Sequence, residues 1–107
     1  MNWTKNELVA YILLYAANSD FSESNDERNI IISKVDMNQF QRIHKEFEND
    51  NDYQSIQKII NGIEAHNYSK DDISELMVDL KTMFFADGEF DTQEQSMFLL
   101  LKKILTR

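Results

Sequence analysis

Cysteine and proline are absent from the chain, and glycine occurs only at Gly62 and Gly88. Without cysteine there is no disulfide, no thiolate nucleophile and no Cys-based zinc site. Without proline, and with so little glycine, the chain lacks the punctuation that hairpins and sheet corners use. That favours helices joined by short polar loops. Positive charge is also scarce: 11 Lys and Arg stand against 19 Asp and Glu, a formal net charge of −8. Such a balance disfavours phosphate tracking and polybasic membrane attachment, so no nucleic-acid partner is expected. Long apolar runs are missing as well. The longest, Leu8 to Ala17, is ten residues, about half of the ~20 that cross a bilayer, so no direct membrane insertion is expected. Met1, Asn2 and Trp3 open the chain with no basic segment ahead of an apolar stretch. A secretory leader is therefore not expected, and the expected location is the cytoplasm.

What is present suits a folded helical domain. Hydrophobic residues make up 42% and charged residues 28% of 107 positions, enough to bury a core and the right length for one domain, residues 1–107. Helix starts are marked by a Ser, Thr or Asp at the N-cap, with an acid or amide three residues later to reciprocate. Thr4 with Glu7, Ser24 with Glu27, Asp36 with Gln39, and Asp91 with Glu94 have this form. Further starts are read near Asp52 and at Ser69, where Asp71 and Asp72 favour the positive helix end. The result is an all-α, single-domain bundle of about six to seven helices.

Apolar stripes complete the helices. Met37, Phe40, Ile43 and Phe47 form one stripe, and Tyr53, Ile56, Ile59, Ile60 and Ile63 another. Ile73, Leu76, Met77, Leu80, Met83 and Phe84 form a third. The aromatic residues Phe40, Phe47, Phe84 and Phe85 are expected in the core. The first and last helices are apolar over more than one face, so either both lie at the centre of the bundle or one exposes a patch for a partner.

The two ends of the chain resemble each other. Tyr15-Ala16-Ala17-Asn18-Ser19-Asp20-Phe21-Ser22 and Phe84-Phe85-Ala86-Asp87-Gly88-Glu89-Phe90-Asp91 both read as a helix end, a polar pair, an acid, Phe and a capping residue. Each precedes a Glu and a new apolar helix, which predicts two related helical hairpins closed by acidic turns. The run Ala86-Asp87-Gly88-Glu89-Phe90-Asp91 with Glu94 resembles the signature of the tellurite-resistance TerB-like family, which the N-terminal domain of membrane DnaJ-like chaperones shares. The resemblance spans about Leu8 to Leu105. It implies an all-α bundle of about seven helices. It also implies a divalent-metal or acidic-interaction role in bacterial stress complexes at the cytoplasmic membrane. The first copy departs from the pattern, with Asn18 where Asp is usual and Ser19 where Gly is usual, which removes one negative charge.

Asp87, Glu89, Asp91 and Glu94 lie close together, and no Lys or Arg occurs from Thr82 to Leu101. A hard cation, Ca²⁺ or Mg²⁺, takes several such oxygens at ~2.0–2.6 Å. If the hairpins meet, Asp20 and Glu27 add oxygens from the other turn, with Glu23 beside them. The candidate metal set is thus Asp20, Glu27, Asp87, Glu89, Asp91 and Glu94. The same residues also read as helix caps and solvated turn positions. An EF-hand does not fit, because its first and third loop ligands would fall on Met83 and Phe85. His44 and His66 have no second His or Cys at a ligand spacing, and no Ser/His/Asp set can be assembled. The sequence therefore points to a non-catalytic module that binds a divalent cation or a basic partner protein, or to a structural or oligomeric interaction protein, such as a homodimer, with no ligand.

Overall fold

The computed structural model describes residues 3–18, 25–86 and 92–106. Among them are six α-helices and no strand: α1 (Lys5–Ala17), α2 (Asn25–Ile32), α3 (Met37–Asn49), α4 (Asp52–Ala65), α5 (Lys70–Phe84) and α6 (Thr92–Leu105). The all-α bundle expected from the missing turn residues is what forms. The turn residues 19–24 and 87–91 lie outside the described residues, and with them the expected meeting of the two acidic turns.

Local chemistry sets the helix starts. Thr4 accepts from the Glu7 amide at 3.1 Å, while Glu7 accepts from the Thr4 amide at 2.8 Å. Asp36 with Gln39, Asn51 with Gln54, and Ser69 with Asp72 close the same reciprocal box. Each box satisfies two amides that a helix end leaves orphaned. Helix α4 starts at Asp52 as expected, and its N-cap is Asn51, which has the Gln54 that can reciprocate. Helix α4 ends in a Schellman arrangement: Asn67 takes a left-handed φ of 51°. There the Tyr68 amide donates to the Ile63 carbonyl at 3.3 Å and the Asn67 amide to that of Glu64 at 3.2 Å. Asn is among the few non-glycine residues that adopt this conformation without large cost. The motif turns the chain so that Tyr68 packs against the core and Ser69 begins α5.

Helix α1 is the hub, packing on each of the other five helices. That explains why it is apolar around its whole circumference: every residue from Glu7 to Ala17 except Val9 is buried. The other helices bury one stripe each, with Ile31, Ile43, Ile59, Leu76, Leu80, Phe84 and Leu101 filling the space around it. The two expected hairpins correspond to α1 on α2 and α5 on α6, and α1 also touches both α5 and α6.

The sequence left two arrangements open for the apolar end helices, and they resolve differently. Helix α1 takes the centre. Helix α6 lies outside, with Leu99 58% and Leu100 41% exposed. Three residues expected in stripes or core face outward instead: Met37, Tyr53 and Phe85 are all exposed. Met37 and Tyr53 lie in the first turns of α3 and α4 and point away from the core, and Phe85 is the C-cap of α5, where the helix ends.

Candidate functional site

Two tyrosines four residues apart on α1 place their hydroxyls on one side of the hub. The Tyr11 hydroxyl lies 2.6 Å from Asp50 Oδ2 and 2.9 Å from Ser55 Oγ. A phenol has one proton. Donating it to the carboxylate leaves the Ser55 hydroxyl to donate to the phenol oxygen. The Tyr15 hydroxyl donates to Asp52 Oδ1 at 2.7 Å. Asp50 also accepts from Lys58 Nζ, which reaches back to Glu46 at 2.7 Å and to Asp50 Oδ2 at 2.8 Å. The link between α3 and α4 is thus tied to α1 by a buried polar network. Ser55 is 1% exposed, and the Asp50 side chain 9%.

Electrostatics follow from that placement. Burial first, then the hydrogen bond and charge of Asp50, hold the Tyr11 hydroxyl well above its ordinary pKa of 10. Burial and Asp52 do the same for Tyr15. For Lys58, burial works to lower the pKa, but the bonds to Asp50 and Glu46 outweigh it and raise it overall. The phenols therefore stay protonated as donors.

Above this network opens a cleft of about 230 Å³ lined by Tyr15, Asn18, Phe47, Asp50, Asp52 and Met97, with Ser55 at its floor. No Lys or Arg lines it. Asp52 is exposed and meets no cation among the described residues, its only bond being that from Tyr15. Met97 also borders a shallow apolar trough on α6 with Thr92, Gln93, Ser96 and Leu100. An acidic cleft and an apolar strip thus share one side chain.

A second polar cavity of about 280 Å³ lies between α1 and α5, lined by Lys5, Lys34, Tyr68, Asp72, Glu75 and Asp79 among others. Its charges are mostly paired: Lys5 with Asp72 at 2.9 Å and Lys34 with Asp79 at 3.1 Å. The Ser69 amide, then Lys5, holds the Asp72 carboxyl below its usual range. Tyr68 stands out here, because its buried hydroxyl has no hydrogen-bond partner among the described residues, and burial with the nearby carboxylates pushes its pKa up to about 12.

Of the sequence-derived metal candidates, Asp20, Asp87, Glu89 and Asp91 lie outside the described residues. Glu27 and Glu94 are described, and both are buried, at 5% and 6% exposure, in the first turns of α2 and α6. They hold the same register in the two hairpins. Among the described residues no group of three or more His, Asp or Glu converges as a metal ion requires. His44 bonds Glu48 at 3.1 Å and leans on the Phe40 ring. His66 caps α4 with its Nε2 2.9 Å from the Trp3 carbonyl.

Sequence reasoning missed the α1 network. In the sequence Tyr15 enters only as the start of the first acidic-turn repeat and Asp52 only as a helix start, and nothing there relates them to Tyr11 or Asp50. The available signal was the pair of tyrosines four apart within the apolar run Leu8 to Ala17, since a buried phenol needs a partner.

No helix among the described residues is long and apolar enough to cross a membrane. In comparison with known proteins, no family model, no curated protein and no solved structure matches this chain.

Proposed function

We propose that the chain is a small, non-catalytic interaction module that engages a basic protein segment at the corner between α1, α4 and α6. One observation carries this reading: Asp50 and Asp52 rim a cleft with no basic lining residue, and that cleft runs through Met97 into an exposed apolar strip. An acidic pocket beside an apolar platform suits a Lys or Arg side chain followed by aliphatic anchors. The overall charge of −8 favours encounter with such a segment. Both histidines are engaged in structural contacts, which favours binding over acid–base work. The TerB-like resemblance of Ala86 to Glu94 points the same way, toward acidic interaction in a bacterial stress complex associated with the cytoplasmic membrane. Tellurite resistance belongs to that resemblance alone.

The test is an amide-shift titration of the isotope-labelled chain with a synthetic Lys/Leu amphipathic peptide. Shifts should concentrate at Asn18, Asp50 to Ser55 and Met97, and Asp52→Asn should weaken binding about three- to tenfold, the worth of one partly exposed charge pair. Shifts spread evenly over the acidic surface would refute the reading.

A second reading has its own observation. Glu27 and Glu94 are buried at one register after the two acidic stretches, a placement that suits carboxylates gathered around Ca²⁺ or Mg²⁺ with Asp20, Asp87, Glu89 and Asp91. Calorimetric titration with Ca²⁺, Mg²⁺, Mn²⁺ and Zn²⁺ should then give saturable heat that an Asp87→Asn/Glu89→Gln variant abolishes. Absence of heat for every ion removes this reading.

A further inference from the structure

Helix α6 and the cleft beside it carry the two halves of a complementary contact. Its exposed face runs through Gln93, Ser96, Leu100 and Lys103, spaced by three, four and three residues, so these side chains share one side of the helix. Leu99, 58% exposed, widens the apolar centre. At the C-terminal end, Lys102 and Lys103 are exposed and make no ion pair among the described residues. Near the N-terminal half, Met97 borders the cleft in which Asp52 likewise meets no cation. One face thus offers lysines without an ion-pair partner at one end, leucines in the middle and, beside the other end, a carboxylate that meets Tyr15 but no cation among the described residues.

We propose that this face pairs with a second copy of the chain, the two α6 helices crossing antiparallel about a two-fold axis at Leu100. The residue arithmetic fixes the register. With Leu100 opposite Leu100, Lys103 of one copy falls three residues beyond the axis, opposite Met97 of the other, and so over the cleft that holds Asp52. The same contact repeats on the other side, as a two-fold interface demands. Ser96, one turn from Leu100, is small enough to let the two helices approach. This rests on the reading of the cleft as a receptor for a basic segment, and names the segment as α6 itself. The charge of −8 on each chain opposes association. Over a Debye length of about 8 Å at physiological salt, that repulsion is screened more than the Lys103–Asp52 contact. One helix face buries less than the roughly 800 Å² per partner of a standard interface, so the dimer is weak and depends on concentration.

Sedimentation of the whole chain from about 10 μM to about 1 mM should show the average mass rising from 12.7 kDa toward twice that value. Lys103→Glu, an exposed change that leaves the core untouched, should hold the chain at monomer mass. Combining it with Asp52→Lys should restore association, a reversal that loss of folding cannot mimic. Leu100→Glu should abolish it, with circular dichroism confirming that the helices persist. Monomer mass across the whole range, or association undiminished by Lys103→Glu, overturns the proposal. If a monomeric chain still binds the Lys/Leu peptide at Asp52, the dimer is wrong and the receptor reading stands. If neither the peptide nor a second copy binds, both fall.

Discussion

Replacing Tyr11 with Phe tests the network that fastens the α3–α4 link to the hub helix. The ring is fully buried, tilted against Trp3 at 4.6 Å and edge-on to Phe47 at 5.8 Å between centroids. Phe preserves that packing and removes only the oxygen. Two bonds go with it: the one donated to Asp50 at 2.6 Å and the one shared with Ser55 at 2.9 Å. A bond to a charged acceptor is worth about 1.5–3 kcal/mol, and a buried hydroxyl left unpaired costs about 1–3 kcal/mol. Asp50 keeps Lys58, and Ser55 can turn to a carbonyl one helical turn back. The sum therefore falls toward the lower end, about 2–3 kcal/mol. Urea denaturation should show that loss with an unchanged slope, and the melting temperature should fall by roughly 10 °C. Adding Ser55→Ala to Tyr11→Phe should cost less than the two changes summed, because the second removes the hydroxyl that the first stranded. A Tyr11→Phe cost below about 0.5 kcal/mol, the level of an ordinary surface change, refutes the claim that the network ties the corner down.

Tyr68→Phe is the converse. Its hydroxyl is buried without a partner among the described residues, so its removal should leave stability unchanged or raise it by up to about 1 kcal/mol in the same urea assay. A loss above that size would mean the hydroxyl has a partner. Arg42→Ala should destabilise by about 1–3 kcal/mol, because Glu7, 3% exposed, would keep a charge with only the Thr4 amide to answer it. Glu7→Gln together with Arg42→Ala should recover part of the loss. In alkali, Tyr11, Tyr15 and Tyr68 keep their protons in the folded chain after the unfolded chain has lost them near pH 10. Their contribution is full below pH 10 and is lost as pH climbs from there through the folded values, the Tyr68 part ending near 12. Denaturation midpoints followed against pH should fall across that window, in step with tyrosinate absorbance. Asn67→Gly should stabilise slightly, by about 0.5 kcal/mol, since glycine takes the left-handed φ of 51° at least as readily.

The sequence by itself determined what depends on neighbours in the chain. Reciprocal caps at Thr4, Asp36 and Ser69 act over three residues, so the helix starts could be read directly. The absence of proline and the near-absence of glycine left little but helices to form, and the stripe Phe40, Ile43, Phe47 fixed which face of α3 turns inward. Tertiary structure decided what depends on helices distant in the chain. Helices α1 and α6 are both apolar over more than one face as strings, yet only α1 is surrounded on all sides, because all five other helices pack on it while α6 packs mainly on α1, α4 and α5. The same distance hid the cleft: Tyr15, Asp52 and Met97 belong to three helices, and no spacing along the chain relates them. Periodicity records which side of a helix is apolar. Which neighbour covers that side, and which apolar residues stay uncovered, is set by how the helices pack.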